Sequence, residues 1–381
     1  MKKTLTTTAL GLLAALGTGT AALAEIKIGA SISATGPAAF LGDPEAKTLE
    51  MLFEELNANG GINGEPVKLV LYDDGGDPNK ARTFATRLIE DDGVVAIIGG
   101  TTTGASMSIL AVAEDAEVPF ISLAGAIDII DPVKPYTFKT PHTDRMACEK
   151  IFEDIKARGF TKIGLISGTD GFGASMEAQC KSVVGNYGLE IIADETYNPT
   201  DADMTAQLTK IRNTAGVEAV VNPGFGQGPS IVTRNYKQLA IELPFYQSHG
   251  VASDGFIELA GADAAEGIRL PGTALLVADL LADDDAQKEV ATSYKAAYEG
   301  KFNSPVSTFG GYAHDAFLIL TDAIGRASAA EPAAIRDAIE ATAGLAGTTG
   351  TYTFSATDHL GLDLSAFRML EIKGGKWALV E

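Results

Sequence analysis

The chain has 381 residues, 46% of them apolar and 21% charged, and a formal net charge of −21. That apolar content excludes a disordered protein, the acidity excludes nucleic acid and anionic lipid as partners, and the length suffices for two domains with full cores. Four histidines without an HExxH or HxH pattern leave no support for a zinc site, and no cofactor is expected.

Met1-Lys2-Lys3 is a basic start, Thr4 to Leu23 is apolar and rich in small residues, and Ala22-Leu23-Ala24 closes it. This is the pattern of a secretory signal peptide cleaved after Ala24, spanning 1–24. A signal anchor is the rival reading. The mature chain would have 357 residues and a charge of −23, since the leader carries Lys2 and Lys3. No later stretch approaches the ~20 apolar residues of a spanning helix. An exported, soluble, periplasmic protein is expected.

Strand and helix then alternate. Ile26–Ile32 reads as a strand. Asp43-Pro44 reads as an N-cap with proline in the first turn of a helix, carried by Leu49, Leu52, Phe53 and Leu56 and stopped by Gly60-Gly61. Strand Val67–Tyr72, a second Asp-Pro helix start at Asp77-Pro78, the wholly apolar strand Val94–Ile98, a helix over about 105–116 and strand Pro119–Ser122 follow. The rhythm restarts after His142: helices at 144–158, 174–187, 204–214 and 229–239 alternate with strands at 162–167, 190–195, 219–222 and 243–247. Helices at 283–298, 309–329 and 332–343 lack strand partners and are expected to return to the first domain. The end reads as short strands with turns at Asp358–Gly361 and Gly374-Gly375.

Two such runs predict an α/β chain of two doubly wound parallel-sheet lobes. Lobe I is placed at 25–142 plus 273–350 and lobe II at 143–272 plus 351–381, so three crossovers make a hinge. Cys148 and Cys180 fall on predicted helices flanking one strand, which leaves open a disulfide or two buried thiols.

Ligands of open parallel sheets bind beyond the strand carboxyl ends. The loop Gly99-Gly100-Thr101-Thr102-Thr103-Gly104-Ala105-Ser106 joins a strand end to a helix start, where free amides, hydroxyls and the helix dipole favour an anion. Capping of its own helix is the simpler role for these threonines. The loop lacks the lysine of a nucleotide cradle. Ser122-Leu123-Ala124-Gly125-Ala126 lets backbone approach a ligand. Gly224-Phe225-Gly226-Gln227-Gly228-Pro229 and Gly171-Phe172-Gly173 both fail the dinucleotide fingerprint at its third glycine. There is no GxSxG or CxxC; His249 reads as a pocket or surface histidine, and Asp73-Asp74 as a helix cap or hinge contact rather than an acid and base.

The stretch Asn57–Asp74 (NANGGINGEPVKLVLYDD), with Ser33-Ala-Thr-Gly-Pro before it and Asp263-Ala-Ala-Glu-Gly and Tyr352-Thr-Phe-Ser after it, resembles the leucine/isoleucine/valine-binding family of type I periplasmic solute-binding proteins. The resemblance spans essentially the mature chain. It implies two lobes joined by a three-strand hinge, a small carboxylate ligand between them, and delivery to an ABC permease by a monomeric receptor. It places Thr103 on the ligand carboxylate, Ala124 as a backbone contact beside the anion loop that holds Thr102, Phe172 and Phe225 where amino-acid binders often carry tyrosine, and Leu41 in the side-chain pocket. Where amino-acid binders hold the ammonium with a carboxylate and a threonine, this chain has His249 and Ala126. An amine-free acid, such as an aromatic one, fits these residues better, unless Asp128 or Asp254 supplies the charge. The expected function is that of a binding protein for an amino acid or an aromatic or organic acid. A sensor subunit of the same fold and an exported hydrolase are the rivals; an enzyme is not expected.

Overall fold

Alternating β-branched and small residues make Ile26–Ile32 (β1) a strand buried on both faces. The computed structural model describes residues 25–380, so the expected signal peptide lies outside the described residues. α1 (Ala39–Ala58), β2 (Val67–Asp73), α2 (Pro78–Arg87), β3 (Ala96–Gly99), α3 (Thr103–Asp115), β4 (Phe120–Ser122) and β5 (Thr137–Lys139) follow. The five strands form one parallel sheet in the order β2-β1-β3-β4-β5. The order reverses between β1 and β3, which opens a crevice at their carboxyl ends.

The second sheet builds from α4 (Asp144–Ala157), β6 (Lys162–Gly168), α5 (Gly171–Val183), β7 (Glu190–Tyr197), α6 (Thr205–Asn213), β8 (Ala219–Asn222), α7 (Gln227–Gln238), β9 (Phe245–Gln247), α8 (Asp254–Ala260), α9 (Ala262–Ala265) and β10 (Arg269–Gly272). α10 (Lys288–Phe302), α11 (Thr308–Arg326) and α12 (Pro332–Glu340) come next, then the short pair β11 (Leu345–Ala346) and β12 (Thr351–Tyr352). The hairpin β13 (Arg368–Lys373) and β14 (Lys376–Leu379) turns at Gly374-Gly375 and completes a seven-stranded sheet, β14-β13-β10-β9-β8-β6-β7. Among its described strands only β13 runs against the rest, antiparallel to both β10 and β14. The fold is therefore two doubly wound parallel-sheet lobes. α11 does return to the first lobe: Phe317 packs edge-on against Phe53 with ring centroids 5.1 Å apart, and Phe309 against Phe40 at 5.7 Å.

Two local readings change, and one left open is decided. α1 begins at Ala39, after a 3-10 turn at Gly36–Ala38, so Pro44 lies inside the helix and Asp43 is no cap; its carboxylate pairs instead with Lys47 at 2.6 Å. Asp77 is the cap expected of it, accepting from the Asn79 amide at 2.8 Å. Asp73 and Asp74 cap no helix: Asp74 accepts from the hydroxyls of Ser31 (2.9 Å) and Ser33 (2.6 Å), and Asp73 from Thr35, which pins the loop between β1 and α1. Cys148 and Cys180 form a disulfide that joins α4 to α5. The GGING run is a turn between α1 and β2, with positive φ at Gly60, Gly61, Asn63 and Gly64, remote from the crevice.

Candidate functional site

The strand ends of both sheets meet across one cavity of about 30 Å³, room for about two waters. Its walls come from α1 (Leu41), the β3–α3 loop (Thr101, Thr102, Thr103), the segment after β4 (Leu123, Ala124, Gly125), Pro141, α11 (Phe309, Tyr312) and, from the second lobe, Phe172, Phe225, His249 and Gly250.

The anion loop depends on Gly100. Its φ is +66°, and a Cβ there would fall 2.4 Å from the Ser106 hydroxyl, so only glycine makes this turn. Thr102 is the N-cap of α3 and accepts from the Ala105 amide at 3.2 Å. Thr103 is not a cap: its hydroxyl is buried with no hydrogen-bond partner, at the first residue of the helix, facing Gly171 of the second lobe. A buried hydroxyl beside a helix N-terminus has a proton to donate to an anion.

Thr101 turns the other way. Its Oγ1 donates to Glu45 Oε2 at 2.5 Å and accepts from the Ser33 amide at 3.0 Å. Glu45 is fully buried, and burial holds its carboxyl well above the usual carboxylate range, with the Asp74 charge adding to the shift. Glu45 is therefore held toward its neutral form and offers little counter-charge to an ammonium.

The two lobes approach closely at Gly125, where a Cβ would fall 2.8 Å from the Phe172 ring and 2.9 Å from His249 Nε2. Phe172 meets Phe225 edge-on at 6.1 Å and His249 at 5.3 Å, which makes an aromatic wall. Burial, then the charge of Lys139, push the His249 imidazole down to about 3, so it is neutral at any physiological pH. Lys139 is fully buried at the end of β5. Its ammonium donates to the Ala126 carbonyl at 3.3 Å, and burial pushes it down to about 7 against the pull of Asp144.

Seven of the eight residues read from sequence, Leu41, Thr102, Thr103, Ala124, Phe172, Phe225 and His249, line the cavity together. Ala126 does not; it lies behind the wall with its carbonyl on Lys139. The two acids considered as ammonium partners are also elsewhere. Asp128 is exposed, and Asp254 accepts from the Trp377 indole N–H at 2.8 Å in the second lobe. Phe309, Tyr312 and Pro141 went unread. The pattern of α11 marks a helix, but the face it turns to the cavity is set by packing on α1. Among the described residues no group of three or more His, Cys, Asp or Glu is placed to hold a metal, and no helix is long and apolar enough to cross a membrane.

Comparison with known proteins agrees with this architecture. The periplasmic binding protein family model matches residues 25–376. A leucine-, isoleucine-, valine-, threonine- and alanine-binding protein of Pseudomonas aeruginosa is 27% identical over 83% of this chain and 82% of its own. The crystal structure of an extracellular ligand-binding receptor from Rhodopseudomonas palustris HaA2 superposes with a TM-score of 0.87 at 29% identity, over 94% of this chain and all of that one. A branched-chain amino acid transporter substrate binding protein from Streptococcus pneumoniae, in complex with isoleucine, gives 0.83 at 25% identity, over 94% of this chain and 99% of its own. With its paired doubly wound lobes and shared cavity, the chain belongs to the leucine/isoleucine/valine-binding family of periplasmic binding proteins.

Proposed function

We propose that this protein is the periplasmic receptor of an ABC importer, acting as a monomer, and that it takes one small carboxylate between its lobes. The carboxylate sits on the Thr103 hydroxyl and the N-terminus of α3, and the lobes part to admit the ligand and close over it. We take the moving bodies to be 25–142 with 273–350 and 143–272 with 351–381, adjusted at the last crossover. The Lys139 amide donates to the His359 carbonyl at 3.2 Å, and His359 Nδ1 lies 2.8 Å from the Thr137 carbonyl, so Tyr352–Leu362 travels with the first lobe. The third crossover is then Asp363–Phe367.

One observation carries the ligand class: among the described residues no acidic side chain lines the cavity, and burial pushes the carboxyl of Glu45, behind the Thr101 wall, toward its neutral form. A buried ammonium without an ionised partner costs several kcal/mol. We therefore infer that amine-free carboxylates, aromatic ones among them, bind better than leucine, isoleucine or valine. The relatives' names point instead to branched-chain amino acids. A thermal-shift screen separates the two, because a ligand at 100 times its dissociation constant stabilises by about 2.7 kcal/mol. Benzoate and phenylacetate should raise the melting temperature and leucine should not; the reverse pattern overturns the proposal.

A further inference from the structure

The cavity has a second polar end. Tyr312 and His249 both line it, and Tyr312 Oη and His249 Nδ1 are both buried without a hydrogen-bond partner. Their rings belong to one chain of aromatic contacts, one stacked, one tilted and one edge-on. His142 lies face to face with Phe367 at 3.9 Å, Tyr312 tilts toward His142 at 6.1 Å, and His249 meets Phe367 edge-on at 5.4 Å. Thr103 is elsewhere, against Gly171, and Phe172, Phe225 and Phe309 supply apolar wall.

The chemistry of the two atoms is complementary. A tyrosine hydroxyl with no acceptor has a proton to give. With its proton on Nε2, neutral His249 presents Nδ1 as a bare acceptor. A donor and an acceptor on one cavity suit a group that accepts and donates at once, which is a hydroxyl. A carboxylate there would meet the Nδ1 lone pair, and an ammonium has no lone pair for the tyrosine proton.

We propose that the ligand is a hydroxylated carboxylic acid, its carboxylate at Thr103 and its hydroxyl, across an apolar ring, between Tyr312 Oη and His249 Nδ1. This rests on the carboxylate reading above and adds the opposite end of the ligand. It makes Tyr312 and His249 the residues that set specificity.

The test is calorimetric titration of the full mature chain with two matched pairs, benzoate against 4-hydroxybenzoate and phenylacetate against 4-hydroxyphenylacetate. In at least one pair the hydroxylated acid should bind about tenfold tighter or more, the size of one well-made hydrogen bond. Tyr312→Phe should shrink that gap below about threefold. It should leave the melting temperature unchanged or higher, because the hydroxyl it removes has no partner in the fold. His249→Gln, which removes the Nδ1 acceptor, is the second variant. Equal affinity within both pairs, or a gap that survives both substitutions, overturns the hydroxyl site and leaves the carboxylate reading standing. Binding of leucine with none of the four acids overturns both, as does binding of none of them.

Discussion

Replacing Thr103 by valine separates a ligand contact from a structural one. The substitution keeps the branched shape and removes only the hydroxyl, whose oxygen is buried and unpartnered in the fold. If that hydroxyl meets the ligand carboxylate, the lost charge-assisted hydrogen bond is worth about 1.5–3 kcal/mol, which is roughly a 10- to 150-fold loss of affinity. Stability should move the other way. A buried polar group without a partner carries a desolvation penalty, so the valine variant should melt at or above the wild type. Thr102→Ala is the contrast, because Thr102 makes the capping bond to the Ala105 amide; it should lose about 1 kcal/mol of stability. Titration calorimetry with 4-hydroxybenzoate and differential scanning calorimetry of both variants supply the four numbers. A valine variant that binds as wild type does and melts lower would show that Thr103 serves the helix and not the ligand.

Three other outcomes are expected. Lys139 is buried and held near 7, whereas an unfolded lysine titrates near 10.5. Above pH 7 the unfolded chain holds more protons at this site, so stability should rise between pH 7 and about 10 by at most about 1.4 kcal/mol per pH unit. Below pH 7 both states are protonated and the burial penalty stays in full. Lys139→Met should flatten the slope and stabilise the protein at pH 7 in denaturant melts; an unchanged slope would contradict the assignment. The disulfide closes a loop with a sequence separation of 32 between α4 and α5. On the chain-entropy account its removal in a Cys148→Ser/Cys180→Ser variant should cost about 3–4 kcal/mol, and urea unfolding showing less than 1 kcal/mol would exclude that. Saturating 4-hydroxybenzoate should reduce the radius of gyration by on the order of 1 Å if the lobes close by hinge motion, and superimposable X-ray scattering curves would rule that out.

The fold was legible because its signals are local. Apolar runs such as Ala219–Asn222 and the Asp77-Pro78 helix start need no tertiary information to be read. The errors have physical causes. Asp43-Pro44 has the chemistry of a helix start, yet the chain is already helical from Ala39, and proline lies within the first two turns. β5 and β10, of three and four residues, are too short to show a period and exist by pairing with neighbours. In the site, the loops after strands were readable because topology puts strand ends at the crevice. Which threonine caps and which faces the cavity was not, since both roles suit the same residue type. Tyr312 and Lys139 were invisible for a different reason: their burial comes from elements far apart in sequence. The family signature around Asn63 and Gly64 proves to be turn chemistry, which is why it identifies the fold and is silent on the ligand.

The central claim is that the cavity, with no acidic side chain among its described lining residues, selects a carboxylate without an amine. The most direct test is competition. The dialysed protein is offered an equimolar mixture of leucine, isoleucine, valine, benzoate and 4-hydroxybenzoate, desalted rapidly and denatured, and the released ligand is identified by mass spectrometry. Recovery of an amine-free acid at one per protein chain is the predicted result, and recovery of an aliphatic amino acid in its place would contradict the account.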